Sequence, residues 1–149
     1  MSMIRQHNIA KSAFDCVDTR DKQYGQDKAN KKSYGALAHK LPMLIMQNGM
    51  AQATGFLWAK GSNEHLKLMD DLAQVIRAGA YDFPHPSTND LGENGKALHR
   101  HILESNIQQL THLTRIALDA SGALRRYVQG VMHIDATGEE QGNQSEKEN

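Results

Sequence analysis

The sequence predicts an all-α fold, a compact bundle of about five to six helices with a long C-terminal helix. Apolar residues recur at helical spacing in several segments, and no Asn-Gly or Asp-Gly step joins alternating apolar runs as in a hairpin. Aromatic residues make up only 5% of the chain, which leaves little material for strands. We expect a single helical domain, 1–137, followed by an acidic disordered tail, 138–149, which has no large apolar residue to bury.

The first predicted helix lies near the N-terminus. Its apolar residues fall on one helical face: Ile4, Ala10, Ala13, Phe14 and Val17. The segment 18–32 that follows is almost wholly polar. This composition indicates a solvated helix end and then a connector.

The central block, 34–60, is the most apolar part of the chain. One helical face of its first half carries these residues: Leu37, Ala38, Leu41, Leu44, Ile45 and Asn48. Pro42 lacks an amide proton, so it should kink or restart this helix. Gly49 is placed as a helix stop, because glycine tolerates the left-handed conformation that closes a helix. A second helix then runs to a stop at Gly61.

The next helix is predicted to begin after an N-cap at Ser62 and to end at Gly79. Glu64 is favourably placed in its first turn, because a carboxylate interacts well with the positive end of the helix dipole. Residues 80–95 hold two prolines and two glycines, so we interpret them as a loop.

The last predicted helix is the longest, from about Lys96 to about Met132, and would span on the order of 50 Å. Its stripe alternates in steps of four and three residues: Leu103, Ile107, Leu110, Thr114, Ala117, Ser121, Leu124, Val128 and Val131. Shorter helices can cover only part of such a rod. We therefore expect surface that other molecules must cover.

Composition also bounds the class of protein. Cys16 is the only cysteine, so an intrachain disulfide is excluded, as expected in a reduced compartment. No stretch approaches the roughly 18 apolar residues of a membrane span, and no signal peptide is evident, so we predict a cytoplasmic location. Before residue 138 the chain has 16 basic and 13 acidic residues. This mild excess permits contact with nucleic acid but does not imply it.

The central block and the last helix resemble the small-subunit family of the type III-B CRISPR (Cmr) effector complex. The matching residues of the central block are Tyr34, Ala38, Leu41-Pro42, Ile45, Gln47-Asn48-Gly49, Gln52, Phe56 and Ala59-Lys60. In the last helix, Leu124-Arg125-Arg126-Tyr127 resembles the family's Leu-Arg-Arg followed by an aromatic residue. The resemblance covers roughly residues 4–131, and its specificity depends mainly on the spacing from Pro42 to Gly49.

The resemblance implies a non-catalytic subunit of an RNA-targeting ribonucleoprotein that acts in antiviral defence. Members of this family stack head to tail with copies of themselves. They form an inner filament beside the subunits that carry the crRNA, and they line the groove that holds the target RNA. The implied partners are the backbone and large Cmr subunits, neighbouring copies, and the duplex of target RNA with crRNA. No cofactor, membrane or small-molecule substrate is implied.

Basic residues are the candidates for RNA binding, because cations that contact phosphates accept any target sequence. The candidates are Lys31, Lys32, Lys40, Lys60, Arg125 and Arg126. Each could instead be a solvated charge on a helix surface. Trp58 and Met50 are candidates for a subunit interface, although Trp58 with Phe56 also fits the core.

No catalytic or metal-binding residues are predicted. His99 and His101 are two residues apart, which on a helix separates them by about 200° and prevents a shared ion. Asp70 and Asp71 are adjacent and point in different directions, so we interpret them as solvated. Two alternatives stay open: a helical adaptor that binds only protein, and a histidine-dependent nuclease.

Overall fold

The computed structural model describes residues 2–137, which form five α-helices. They are α1 (Ser2–Tyr24), α2 (Lys28–Lys60), α3 (Asn63–Ala78), α4 (Glu93–Glu104) and α5 (Ile107–Met132). The predicted all-α bundle is confirmed. The predicted acidic tail, 138–149, lies outside the described residues.

Helix α5 is the central element of the bundle. Gln6 of α1 donates a hydrogen bond to Asp119, and Phe14 packs edge-on against Tyr127, so α1 and α5 run parallel. The first half of α2 runs antiparallel to α5. The core is built mainly from aliphatic residues of all five helices, the largest being Ile9, Leu41, Ile45, Met50, Leu57, Leu68, Met69, Leu72, Ile76, Leu98 and Leu113.

A short segment after α5 closes the bundle. Ile134 is buried against α2, where an added Cβ on Gly35 would lie 2.8 Å from the Ile134 side chain. The backbone oxygen of Ile134 lies 2.7 Å from Nε2 of the buried His39. Gly35 therefore provides the space that Ile134 fills, and His39 satisfies the carbonyl.

Helix α2 breaks at Gly49, as predicted. Its backbone there has φ 82° and ψ 169°, which is not helical and is essentially restricted to glycine. Of the two expectations for Pro42, the restart is wrong, because Gly49 is the one interior position of α2 with non-helical dihedrals, and the kink stays a prediction. A helix accommodates a proline when neighbouring packing compensates for the lost hydrogen bond, and the flanking Leu41 and Ile45 are fully buried.

The single long C-terminal helix that the sequence predicts is instead two helices, α4 and α5. The chain breaks at Ser105 and Asn106, which are extended. The Asn106 side chain accepts from the Gln109 amide at 2.9 Å, and the Gln109 side chain accepts from the Asn106 amide at 3.0 Å. This capping box offers the backbone an alternative to continuing the helix. As a result Leu103 and Ile107 are 64% and 81% exposed.

Replacing Asn106 with alanine should lower the free energy of unfolding by about 1 kcal/mol, because the first turn of α5 loses its cap. Urea unfolding followed by circular dichroism measures this change. Gln108→Ala is the matched control, since Gln108 is exposed on the same turn and takes no part in the cap. Equal stability of the two variants would contradict the assigned role of Asn106.

The first helix is longer than predicted, and its buried face matches the predicted one in part, since Ala13 and Val17 are fully buried. Ile4 and Phe14 are 67% and 42% exposed, whereas Ile9 and Cys16 are buried. The segment 18–32, predicted as a helix end and then a connector, is mostly helical, because α1 continues to Tyr24 and α2 begins at Lys28.

A buried ion pair ties α1 to α3. Arg20 donates two hydrogen bonds of 2.9 Å to the two carboxylate oxygens of Asp71, and the Tyr34 hydroxyl donates a third of 2.6 Å. The prediction that Asp71 is solvated is therefore wrong, since only 4% of the residue is exposed. Burial raises the pKa of Asp71, and the hydrogen bonds from Arg20 and Tyr34 oppose that rise.

Candidate nucleic-acid interface

A shallow groove lies between α2 and α5 on the outside of the bundle. Its lining consists of Pro42 from α2 and of Gly122, Arg125, Arg126 and Gln129 from α5. The antiparallel packing of these two helices brings Pro42 to the level of the arginines. Arg125 and Arg126, predicted from the sequence as RNA-binding residues, therefore lie together beside one groove.

Gly122 leaves open space in this groove, because it has no side chain. An added Cβ would find no atom within 4 Å, so packing within the described residues does not require glycine here. A second depression meets the first at Gly122 and Arg126 and extends to Gln6 and Ala10 of α1. Together the two depressions cross the width of α5.

The groove has a positive rim. Arg125 and Arg126 are exposed, and within residues 2–137 neither guanidinium has an ion-pair partner. Asp119, which lines the second depression, accepts a hydrogen bond from Gln6. The two arginines are therefore available to an external anion such as a phosphate.

Two exposed methionines lie near Pro42 on α2. Met43 and Met46 follow Pro42 on the same helix and are 54% and 67% exposed. Met46 lies one turn beyond Pro42, on the same face of the helix. The face of α2 that carries Pro42 thus presents a flexible apolar side chain, which adapts readily to a partner surface.

The structure does not bring Lys40 and Lys60 into this groove. Lys40 is exposed, but it is two residues from Pro42 in a helix, so its side chain points about 200° away. Lys60 is the last residue of α2, and its Nζ lies 5.7 Å from the centre of the Phe56 ring.

Lys31 and Lys32 lie at the start of α2 rather than in a flexible connector. Lys31 forms a 2.7 Å ion pair with Asp21, and only 18% of its side chain is exposed. Lys31 is therefore already neutralised by α1, which argues against its predicted role in binding phosphate. Lys32 is exposed and already interacts with another group of the chain.

The two predicted interface residues differ in exposure. Met50 is 1% exposed and belongs to the core, so the prediction that it contacts a neighbouring subunit is corrected. It follows directly after the break at Gly49, and the second half of α2 turns it inward. Trp58 is half-buried and lies on the core surface beside α4.

Two cations beside Trp58 were not predicted from the sequence as functional residues. Lys96 Nζ and Arg100 Cζ of α4 lie 5.3 Å and 5.6 Å from the Trp58 ring, and His99 packs edge-on against it. Lys96 and Arg100 are four residues apart and so share a helix face. That spacing is visible in the sequence, but their proximity to Trp58 depends on the packing of α4 against α2.

Three of the histidines lie within hydrogen-bond distance of a hydroxyl group. His99 Nδ1 lies 2.7 Å from the Thr54 hydroxyl, and His101 Nε2 lies 2.8 Å from the Tyr81 hydroxyl. His65 Nδ1 lies 2.6 Å from the Ser62 hydroxyl. Within residues 2–137, no three His, Cys, Asp or Glu side chains are grouped so that they could hold a metal ion.

No helix in the described part of the chain combines the length and the apolar character that a membrane span requires.

Comparisons with known proteins agree on one family. Residues 5–131 match the family model described as CRISPR-associated protein (Cas_Cmr5). The chain is 32% identical over 99 residues to the CRISPR system Cmr subunit Cmr5 of Thermus thermophilus, which is 66% of this chain and 75% of that protein. The crystal structure of a CRISPR-associated Cmr5 family protein from the same organism has a TM-score of 0.67 at 28% identity, covering 85% of this chain and 96% of that one.

Proposed function

The chain belongs to the Cmr5 family of CRISPR-associated proteins, and on this basis we propose that it is a non-catalytic small subunit of a Cmr effector complex. In this role it stacks with copies of itself as an inner filament, contacts the backbone and large subunits, and helps to hold target RNA paired with crRNA. It acts in the cytoplasm, with residues 1–137 as its single helical domain.

One observation carries the RNA-holding role: two adjacent guanidinium groups line a groove and have no ion-pair partner within residues 2–137. Arginines contact phosphates strongly and without regard to base sequence. The open space at Gly122 allows a backbone to approach α5 closely. This chemistry suits a groove that must accept any target.

Exposed apolar residues support contacts with other subunits. Met43 and Met46 are exposed near Pro42 on α2, and Leu103 and Ile107 are exposed on either side of the break between α4 and α5. Large exposed apolar side chains that cluster in this way are typical of protein interfaces. An adaptor that binds only protein would have these same contacts. Binding of RNA by Arg125 and Arg126 is therefore what distinguishes the two functions.

Replacing Arg125 and Arg126 together with alanine should weaken target-RNA binding by the reconstituted complex. The slope of log K against log salt concentration should fall by about one for each arginine removed, for every copy bound to RNA. Filter binding or fluorescence anisotropy at several salt concentrations measures both quantities. Complex assembly should be unchanged, because the proposal assigns both exposed side chains to RNA and not to a neighbouring subunit.

The matched control is the double variant Lys22→Ala and Lys28→Ala, which removes two exposed cations from other parts of the surface. It should leave both the affinity and the salt dependence close to those of the wild type. If the arginine variant binds target RNA as the control does, the groove does not hold RNA. The adaptor function would then be favoured.

A further inference from the structure

The second half of α2 carries a separate surface with a different chemistry. Two aromatic side chains, Phe56 and Trp58, lie about 200° apart around the helix. Between them lie the exposed Ala59 and the partly buried Gly55, where an added Cβ would lie 3.4 Å from the His99 ring. These two positions of the helix surface therefore carry no side chain larger than a methyl group.

Each aromatic ring has cationic neighbours. Lys60 Nζ lies 5.7 Å from the centre of the Phe56 ring, and the His65 ring packs edge-on at 5.9 Å. On the other side Lys96 and Arg100 lie 5.3 Å and 5.6 Å from Trp58. We call the set Phe56, Trp58, Lys60, His65, Lys96, His99 and Arg100 the aromatic–basic patch.

We propose that the aromatic–basic patch binds single-stranded RNA, with a base stacked on Phe56 and phosphates held by Lys60 and Arg100. This inference rests on the proposed function but concerns unpaired nucleotides and a surface separate from the groove at Gly122. Stacking on an aromatic ring beside cations is how proteins bind single strands without sequence preference.

Charge favours RNA over a protein as the occupant. Lys60 and Arg100 form no ion pair within residues 2–137, whereas Lys96 lies 3.8 Å from Glu93. Two further acids, Glu64 and Glu104, lie near the patch on α3 and α4. Lysine is depleted in protein interfaces because burying its strongly hydrated ammonium group is costly. A phosphate accepts the same ammonium group while it stays partly in water.

Two histidines of the patch have lowered pKa values, mainly because of burial and secondarily because of neighbouring cations. The pKa of His65 lies below its usual value of 6.5 because of burial and the charge of Lys60. The pKa of His99 is lowered by burial and by Arg100. A phosphate bound at the patch would offset those positive charges, so both pKa values should rise when RNA binds.

Trp58 makes the proposal directly testable, because it is the only tryptophan in the chain. We expect its fluorescence to change when the full-length protein is titrated at low salt with a single-stranded oligouridine.

Phe56→Leu should bind roughly tenfold or more weakly, since leucine keeps apolar volume but cannot stack. Phe56→Tyr should bind as the wild type does. Lys60→Ala with Arg100→Ala should lower the salt-dependence slope by about two.

The groove variant with Arg125→Ala and Arg126→Ala distinguishes RNA binding at the aromatic–basic patch from RNA binding at the groove. It should retain the Trp58 response, whereas the patch variants should lose it. The patch inference alone is overturned if RNA binds, as seen by anisotropy, without changing Trp58 fluorescence or the histidine pKa values. It is also overturned if Phe56→Leu impairs complex assembly but binds RNA normally, because the patch would then be a protein interface. No binding of RNA by either the chain or the complex would overturn both.

Discussion

Replacing Asp71 with alanine should lower the free energy of unfolding by about 3–5 kcal/mol, the largest effect we expect from one substitution. Asp71 accepts hydrogen bonds from both nitrogens of the Arg20 fork and from the Tyr34 hydroxyl. Without the carboxylate, a largely buried guanidinium and a fully buried hydroxyl lose their acceptor. Urea unfolding followed by circular dichroism measures the loss.

Two further variants isolate the cause. Asp18→Ala removes a carboxylate from an exposed ion pair with Lys22 and should have a far smaller effect. The double variant Arg20→Met with Asp71→Leu removes both charges and should recover much of the stability that Asp71→Ala loses. If Asp71→Ala were no less stable than Asp18→Ala, the buried ion pair would not be a determinant of the fold.

Replacing Gly95 with alanine should lower the free energy of unfolding by about 1–3 kcal/mol, although alanine favours a helix more than glycine does. Gly95 is buried where α4 crosses α3. An added Cβ would lie 2.8 Å from Cβ and 2.9 Å from the backbone carbonyl carbon of Met69. Because backbone cannot move aside as a side chain tip can, the two helices would have to separate.

Gly122→Ala is the matched control for Gly95→Ala and should have the opposite sign. Gly122 also lies inside a helix, but an added Cβ would meet nothing within 4 Å. Its substitution should therefore raise the free energy of unfolding by up to about 1 kcal/mol. Thermal unfolding of the two variants in parallel tests the pair. A destabilised Gly122→Ala variant would show that glycine is needed there for the fold.

The candidate site shows which spatial relations the sequence could indicate and which it could not. Arg125 and Arg126 were identified from adjacent charges and a family resemblance, and the structure brings them to one groove. Lys31 has the same charge, but its pairing with Asp21 requires α1 and α2 to meet. Lys96 and Arg100 were missed because their relation to Trp58 crosses two helices.

The break between α4 and α5 was visible in the sequence but not recognised. Asn106 followed by Gln109 is a capping-box pattern, and it competes with an apolar stripe that runs straight through it. The stripe favoured one continuous helix. Because Leu103 and Ile107 are exposed on either side of the break, their apolar character does not reflect core packing.

Local sequence was enough to specify the helical class, the stop at Gly49, and the ends of α3 at Ser62 and Gly79, as well as the family. These features depend on periodicity and on backbone preferences over a few residues. The burial of Asp71 and the place of Met50 in the core depend instead on tertiary packing. Burial and pairing are set by which helices meet, and those contacts join residues far apart in the chain.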